Sequence, residues 1–297
     1  MGFASKQLTV VGLGLMGASL ALALRGYADQ IVGVDMDASA RTYALENGIT
    51  DRVTDDLREG VRDSDVVLMC APVRVISRIV AGQIGAYLRS NTLLMDIGST
   101  KRDICDVMGR LPIGIQAVGG HPMTGKEVSG IENADATLYV NRPWVLCPTR
   151  RTTPAARIRA LALLEAVGAI AIEMDADRHD KVVAAISHLP YLLSVSLVAT
   201  VANAAGKTPE VWDLAAGGFR DTSRLAGSDI RMMSDILSTN RQAVATLLAM
   251  FRVQLGLLET MLIAQDEEQL TEALTPLRKT RMEWSAQYEK RTHGTRR

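Results

Sequence analysis

Neither charge is in excess in this 297-residue chain: Lys plus Arg and Asp plus Glu number 33 each. That balance removes the basic field by which a protein gathers nucleic acid or an anionic membrane surface, so neither partner is expected. Cysteine is scarce. Cys70, Cys105 and Cys147 have neither the spacing of a metal site nor the even number of a disulfide framework. No metal is expected, and a reducing cytoplasm fits. Internal repeats and low-complexity tracts are missing too. The apolar run Leu8 to Leu24 resembles a signal peptide or membrane span, but Gly12, Gly14 and Gly17 interrupt it. Only Lys6 precedes it as a basic flank, and it ends in Arg25 without a small-residue cleavage pattern. It also falls short of the ~20 residues a spanning helix needs. Strand, turn and helix are expected there, not a targeting segment.

What is present is ordinary globular composition, 47% hydrophobic and 22% charged, in a chain long enough for two domains with a core each. Leu8 to Val11 suits a central parallel strand buried on both faces. Gly12-Leu13-Gly14-Leu15-Met16-Gly17 follows, a G-x-G-x-x-G pattern opening an Ala/Leu-rich helix. Gly12 permits the tight turn, Gly14 the approach of a pyrophosphate, and Gly17 close helix–strand packing. The helix N-terminus supplies free N–H groups and a positive dipole end. A second strand, Ile31 to Val34, ends in Asp35, 18 residues past Gly17. A carboxylate there accepts both ribose hydroxyls of an adenosine and repels a 2′-phosphate. NAD is expected over NADP, since Met36 and Asp37, not an arginine, come next.

The alternation continues through strands at 65–70, 92–95, 115–118, 144–147 and 169–173, with helices at 73–88 and 154–167 between them. This implies a doubly wound parallel sheet with some antiparallel edge. Ligands lie beyond the carboxyl ends of such strands, which makes Cys70, Ala71, Pro72 and Ser99 candidates to line the cofactor or reaction centre. Ser99 also suits a helix cap. Gly119 to Gly130, with four glycines, a proline and His121, reads as a loop at a strand end that places the histidine for chemistry. After Asp175 only helical patterns remain. Pro190 is expected to kink a long helix near His188, and Gly217-Gly218 to break the chain before Arg220 and Arg224. The domains are therefore expected at 1–174, nucleotide-binding, and 175–297, all-helical, the latter burying apolar faces against a second subunit. The basic tail from Lys290 is read as frayed.

The segments GLGLMGASLALAL, DIGSTK, GGHPMTGKEVSG, ISHLPYLLS and GGFRDTSRLAGSD stand in the order and roughly the spacing of the prephenate/arogenate dehydrogenases, which the chain resembles from about Leu8 to Met282. The resemblance implies a Rossmann domain followed by a helical dimerisation domain. It implies NAD(P)-linked oxidation of a cyclohexadienol, with loss of the ring carboxylate and aromatisation, in tyrosine biosynthesis. By the same resemblance His121 is the general base on the ring hydroxyl, Ser99 orients the imidazole or the hydroxyl, and Arg224 anchors a carboxylate. Guanidinium suits that task because it stays charged and grips carboxylates with two prongs. Arg220 and Lys126 are candidates for the second carboxylate. His188 is a candidate substrate contact or a buried structural histidine. Tyr191 stands where many members carry a second histidine, and Lys126 and Glu127 lie where a keto or amino side chain would be felt. No chorismate mutase segment or regulatory extension is recognised. Two rival readings are a β-hydroxyacid dehydrogenase, which would need a lysine near His188, and a non-enzymatic NAD-binding sensor.

Overall fold

The computed structural model describes residues 2–126 and 128–293, the last three by backbone alone. Among these residues eight strands form one sheet: β1 (Ser5–Val11), β2 (Ala28–Val34), β3 (Arg52–Thr54), β4 (Val66–Met69), β5 (Leu93–Asp96), β6 (Gln116–Pro122), β7 (Pro143–Pro148) and β8 (Ile170–Glu173). Their order is β3-β2-β1-β4-β5-β6-β7-β8. From β3 to β6 every neighbour is parallel, because helices carry the chain back each time: α1 (Leu15–Ala23), α2 (Ala38–Glu46), α3 (Leu57–Val61), α4 (Val73–Ala81), α5 (Ile84–Tyr87) and α6 (Arg102–Met108). Only a 3-10 turn, Ile131–Asn133, separates β6 from β7, so β7 returns antiparallel. α7 (Pro154–Ala166) then sets β8 parallel to β7.

Side-chain alternation divides the core between the two faces. Leu8, Val10, Leu68, Leu93 and Met95 pack beneath α1 and α7. Val11, Val67, Met69 and Leu94 pack with Ile76, Val80, Ile104 and Met108 of α4 and α6. Beyond the sheet come α8 (Ala176–Val183), a π turn (Ala184–His188), α9 (Leu189–Ala205), α10 (Gly217–Ser223), a 3-10 turn (Arg224–Gly227) and α11 (Ile230–Thr239). Residues up to Arg241 form one compact unit. α12 (Arg241–Ile263) and α13 (Glu267–His293) form the second, which begins at Gln242. The run Ala176–Ala205 and α12 are long and apolar enough to cross a bilayer, a test that core helices of soluble proteins also pass.

The Rossmann-type sheet followed by helices is as the pattern implied, with five local corrections. His121 is not in a loop: Gly119 to Pro122 continue β6, paired with Trp144 to Cys147 of β7. Among the described residues, no strand pairs with the other side of β6 past Val118, which is how a proline fits there. The helix expected at 73–88 breaks into α4 and α5 at Gly82 and Gln83. Pro190 opens α9 after the π turn, whose wider ring lets the Leu189 N–H reach the Ala184 carbonyl and absorbs the missing donor. Gly217-Gly218 starts α10 instead of breaking the chain. The basic tail is helical to His293, and 294–297 lie outside the described residues.

Candidate active site

The sheet reverses its winding between β1 and β4, and the crevice beyond their carboxyl ends is where an open α/β sheet binds ligands. Gly12 sits there at φ +100°, and a Cβ on it would lie 2.5 Å from the Cys70 carbonyl oxygen. A Cβ on Gly17 would lie 1.9 Å from the Gly12 oxygen, so α1 rests directly on the turn. Gly14 caps α1 without a side-chain bond, and nothing stands within 4 Å of where its Cβ would be. These are the cradle, the close packing and the open approach that a pyrophosphate needs. Leu13 donates its N–H to Asp35 Oδ2 at 2.6 Å, and Asp37 donates to Oδ1 at 2.9 Å. The carboxylate is thereby fixed at the end of β2. Leu15 and Met16 form the first turn of α1, where the Met16 carbonyl accepts the Tyr139 hydroxyl at 2.6 Å. Pro72 caps α4, following Ala71. Burial, then the Asp96 charge, pushes the Cys70 thiol up, which keeps it protonated.

Sequence reasoning missed Arg41. It lies on α2, donates to the Asp35 carbonyl at 2.7 Å and pairs with Asp55 at 3.2 Å.

A second group of side chains gathers at the carboxyl ends of β5 and β6, on the same edge of the sheet. Lys101 and Asp96 form a fully buried ion pair. Lys101 Nζ also donates to the Gly120 carbonyl at 2.6 Å, while Asp96 accepts the N–H of Gly98 at 2.8 Å and of Gly120 at 3.0 Å. A Cβ on Gly120 would lie 2.5 Å from the Asp96 carbonyl oxygen, which excludes a side chain there. The half-buried His121 is thus held by its predecessor. Its Nδ1 lies 2.8 Å from Nε2 of His179, and Nδ1 of His179 lies 2.8 Å from Asp180 Oδ1. Asp180 accepts the N–H groups of Lys101 at 2.7 Å and Arg102 at 3.0 Å, fastening α8 to the start of α6. Asn240, after α11, donates to the Asp180 carbonyl at 2.7 Å and lies 3.2 Å from His188 Nδ1.

The electrostatics keep His121 and His188 neutral. Desolvation first, then His179, Lys101 and His188, push His121 well below its ordinary value. Desolvation takes His188 down to about 4. Burial pushes the Asp180 carboxyl up, but hydrogen bonds from His179, Arg102 and Lys101 outweigh it and hold the carboxyl below its usual range.

The other candidates lie as follows. Ser99 is half-buried between β5 and α6, one residue before Thr100, whose hydroxyl meets that of Thr239 at 2.8 Å. Tyr191 is half-buried on α9. Lys126 pairs with Asp135 at 3.1 Å and donates to the Asn133 carbonyl. The Thr137 hydroxyl and N–H, then Lys126, draw Asp135 down to about 2. Arg220 is exposed and bonded to Asp221 at 2.9 Å. Arg224 is exposed at the end of α10. Glu127 lies outside the described residues. His179, Asp180, Lys101, Asp96 and Asn240 were not singled out in the sequence. The available signals were Lys101 inside DIGSTK and the adjacent His179-Asp180.

Residues 19–173 match the family model described as prephenate dehydrogenase, nucleotide-binding domain, and residues 175–276 match its dimerization domain. The chain belongs to the prephenate dehydrogenase family. It is 34% identical to the cyclohexadienyl dehydrogenase of Zymomonas mobilis over 93% of this chain and 95% of that one. A solved prephenate dehydrogenase of Aquifex aeolicus, in complex with hydroxyphenyl propionate and NAD+, superposes with a TM-score of 0.86 at 31% identity, covering 95% of this chain and 99% of that one. The arogenate dehydrogenase of Synechocystis gives 0.81 at 30%, covering 94% and 99%.

Proposed function

We propose that this member of the family oxidises prephenate to 4-hydroxyphenylpyruvate, or arogenate to tyrosine, with loss of carbon dioxide and with NAD as oxidant, in cytoplasmic tyrosine biosynthesis. His121 carries the reading. It is an imidazole kept neutral at a strand end, on the sheet edge that also bears the nucleotide crevice. A neutral imidazole accepts the proton of a ring hydroxyl as that carbon loses hydride, which is general-base work. The bond to the ring carboxylate then breaks, its electron pair completes the aromatic ring, and the proton held by the histidine returns to the resulting phenolate oxygen.

Bound NAD would accept the hydride. Gly12, Leu13, Gly14, Leu15, Met16 and Gly17 would hold its pyrophosphate, Asp35 its ribose, and Cys70, Ala71 and Pro72 would flank it. The fit is supported by the open space at Gly14 and the fixed Asp35 carboxylate. NAD is preferred over NADP because Asp35 repels a 2′-phosphate and Arg41 is engaged by Asp55 and a carbonyl. Ser99 orients the base. Arg224 anchors a carboxylate, with Lys126, His188, Tyr191 and Glu127 as the further contacts; Arg220, exposed and paired with Asp221, is the weaker candidate. We place the functional boundary between 174 and 175, although compactness groups residues up to Arg241 together. A second copy covers the exposed Met250, Val253, Leu257, Leu262, Leu274 and Leu277 of α12 and α13 as a homodimer.

The test is turnover of prephenate and of arogenate with NAD and with NADP. NADH and carbon dioxide should appear together from one of the two substrates. Binding of NAD with no turnover of either would favour the non-enzymatic sensor.

A further inference from the structure

We propose that His179 is a positioning residue: it fixes the tautomer of His121 and receives its surplus proton, so that the base is an imidazole pair backed by Asp180. This rests on His121 being the base.

The argument is a count of donors and acceptors. Asp180 Oδ1 accepts the Lys101 N–H and Oδ2 the Arg102 N–H, so the carboxylate already takes two backbone hydrogens as an acceptor. An ionised carboxylate has no hydrogen to give, and the hydrogen in its 2.8 Å contact with His179 therefore belongs to His179 Nδ1. With Nδ1 carrying the one hydrogen of its ring, His179 offers a lone pair at Nε2. The hydrogen in its 2.8 Å contact with His121 belongs to His121 Nδ1. His121 Nε2 is left bare, which is the state a general base requires. An unsupported imidazole divides between two tautomers, and only one of them can act. His179 is 1% exposed on α8, so water does not compete for either of its nitrogens.

The same chain moves the proton. When His121 Nε2 takes the substrate hydroxyl hydrogen, the Nδ1 hydrogen passes to His179 Nε2. One N–H bond forms and one breaks on His121, and one forms on His179. The positive charge then rests beside the Asp180 carboxylate instead of on His121, whose cationic form Lys101 opposes. The groups that face the pair are Asp180 on α8, Lys101 at the start of α6, Asp96 on β5 and His188 in the π turn, with neutral Asn240 after α11.

The experiment uses the full chain with nitrogen-15 in its histidine rings. Near neutral pH, His121 should carry its hydrogen on Nδ1, a reading that needs no turnover. His179→Gln supplies an oxygen to accept from His121 and an amide to donate to Asp180, but no site for a proton. It should keep the tautomer, NAD binding and KM, and lower kcat about tenfold. His179→Leu supplies neither group, so His121 should become a tautomer mixture and kcat should fall by about 10²–10⁴-fold. A hydrogen on His121 Nε2 in the wild type would overturn the proposal. So would His179→Leu with the wild-type kcat and pH profile. If neither substrate is turned over, the proposed function fails while the nitrogen spectrum still decides the tautomer.

Discussion

Lys101 and Asp96 meet with no side-chain surface open to water, and both hold Gly120, the residue before His121. Breaking one side of such a pair leaves a buried charge without its partner. Lys101→Met should therefore lower stability by about 3–5 kcal/mol, read from the urea midpoint. It should also loosen the strand end that carries His121 and lower kcat in the fraction that folds. Wild-type stability in this variant would mean that water reaches Asp96 and that the clamp is not closed.

His121→Asn should leave NAD binding intact and lower kcat by about 10²–10⁴-fold, the range for losing a general base. The wild-type pH profile supplies the sign. The base works when neutral, and burial holds its pKa well below 6.5, so activity should stay flat from neutral pH downward and fall only below pH 6.5. An acid limb centred above 6.5 would mean that burial of His121 does not set the protonation of the His121–His179 pair.

Legibility followed locality. The nucleotide half was readable because Gly12, Gly14, Gly17 and Asp35 stand close in sequence and each acts through its own backbone or strand end. The relay was not. His121 and His179 are 58 residues apart, and the packing of α8 against α6 and β7 brings them together. Gly119 to Pro122 read as a loop because glycine and proline weaken strands. Pairing with β7 overrides that propensity, and pairing is a tertiary fact. β3 has three residues, too few for alternation to show.

His188 makes stability depend on pH. Its pKa falls from 6.5 to about 4 on folding, so between those values the unfolded chain binds a proton that the folded chain refuses. Stability is complete above pH 6.5 and is lost as pH falls towards 4, by about 3 kcal/mol in all. Urea titrations at pH 7 and pH 4.5 should differ by most of that amount, and His188→Gln should reduce the difference. An unchanged difference would assign the effect to other groups.

Two glycines of the fingerprint should separate fold from binding. Gly17→Ala puts a methyl 1.9 Å from a backbone oxygen and should shift α1 off the sheet, lowering the melting temperature and NAD affinity together. Gly14→Ala meets nothing within 4 Å, so stability should hold while NAD affinity falls about tenfold or more, because the methyl occupies the pyrophosphate's approach. Calorimetry and NAD titration on both variants check this. Equal NAD affinity for Gly14→Ala and wild type would move the phosphates elsewhere.

Arg224 and Arg220 stand about one helical turn apart at the exposed end of α10. Arg220 is bonded to the adjacent Asp221, and its side chain is 79% exposed, which is the geometry of a surface pair worth little to binding. Arg224 stands where α10 passes into the 3-10 turn that packs on α9, the helix opened by Leu189 after the π turn. If Arg224, exposed in the free chain, is buried against a substrate carboxylate on binding, Arg224→Ala should weaken prephenate binding by about 2–5 kcal/mol, the usual loss when such a buried charge pair is broken, and leave NAD affinity unchanged. Arg224→Lys should recover only part, since an ammonium lacks the two-pronged contact. Arg220→Ala should change either affinity by less than about 1 kcal/mol. Separate titrations with NAD and with prephenate decide the matter. Equal losses for both ligands would mark a folding defect, and a large loss for Arg220→Ala alone would move the anchor one helical turn back.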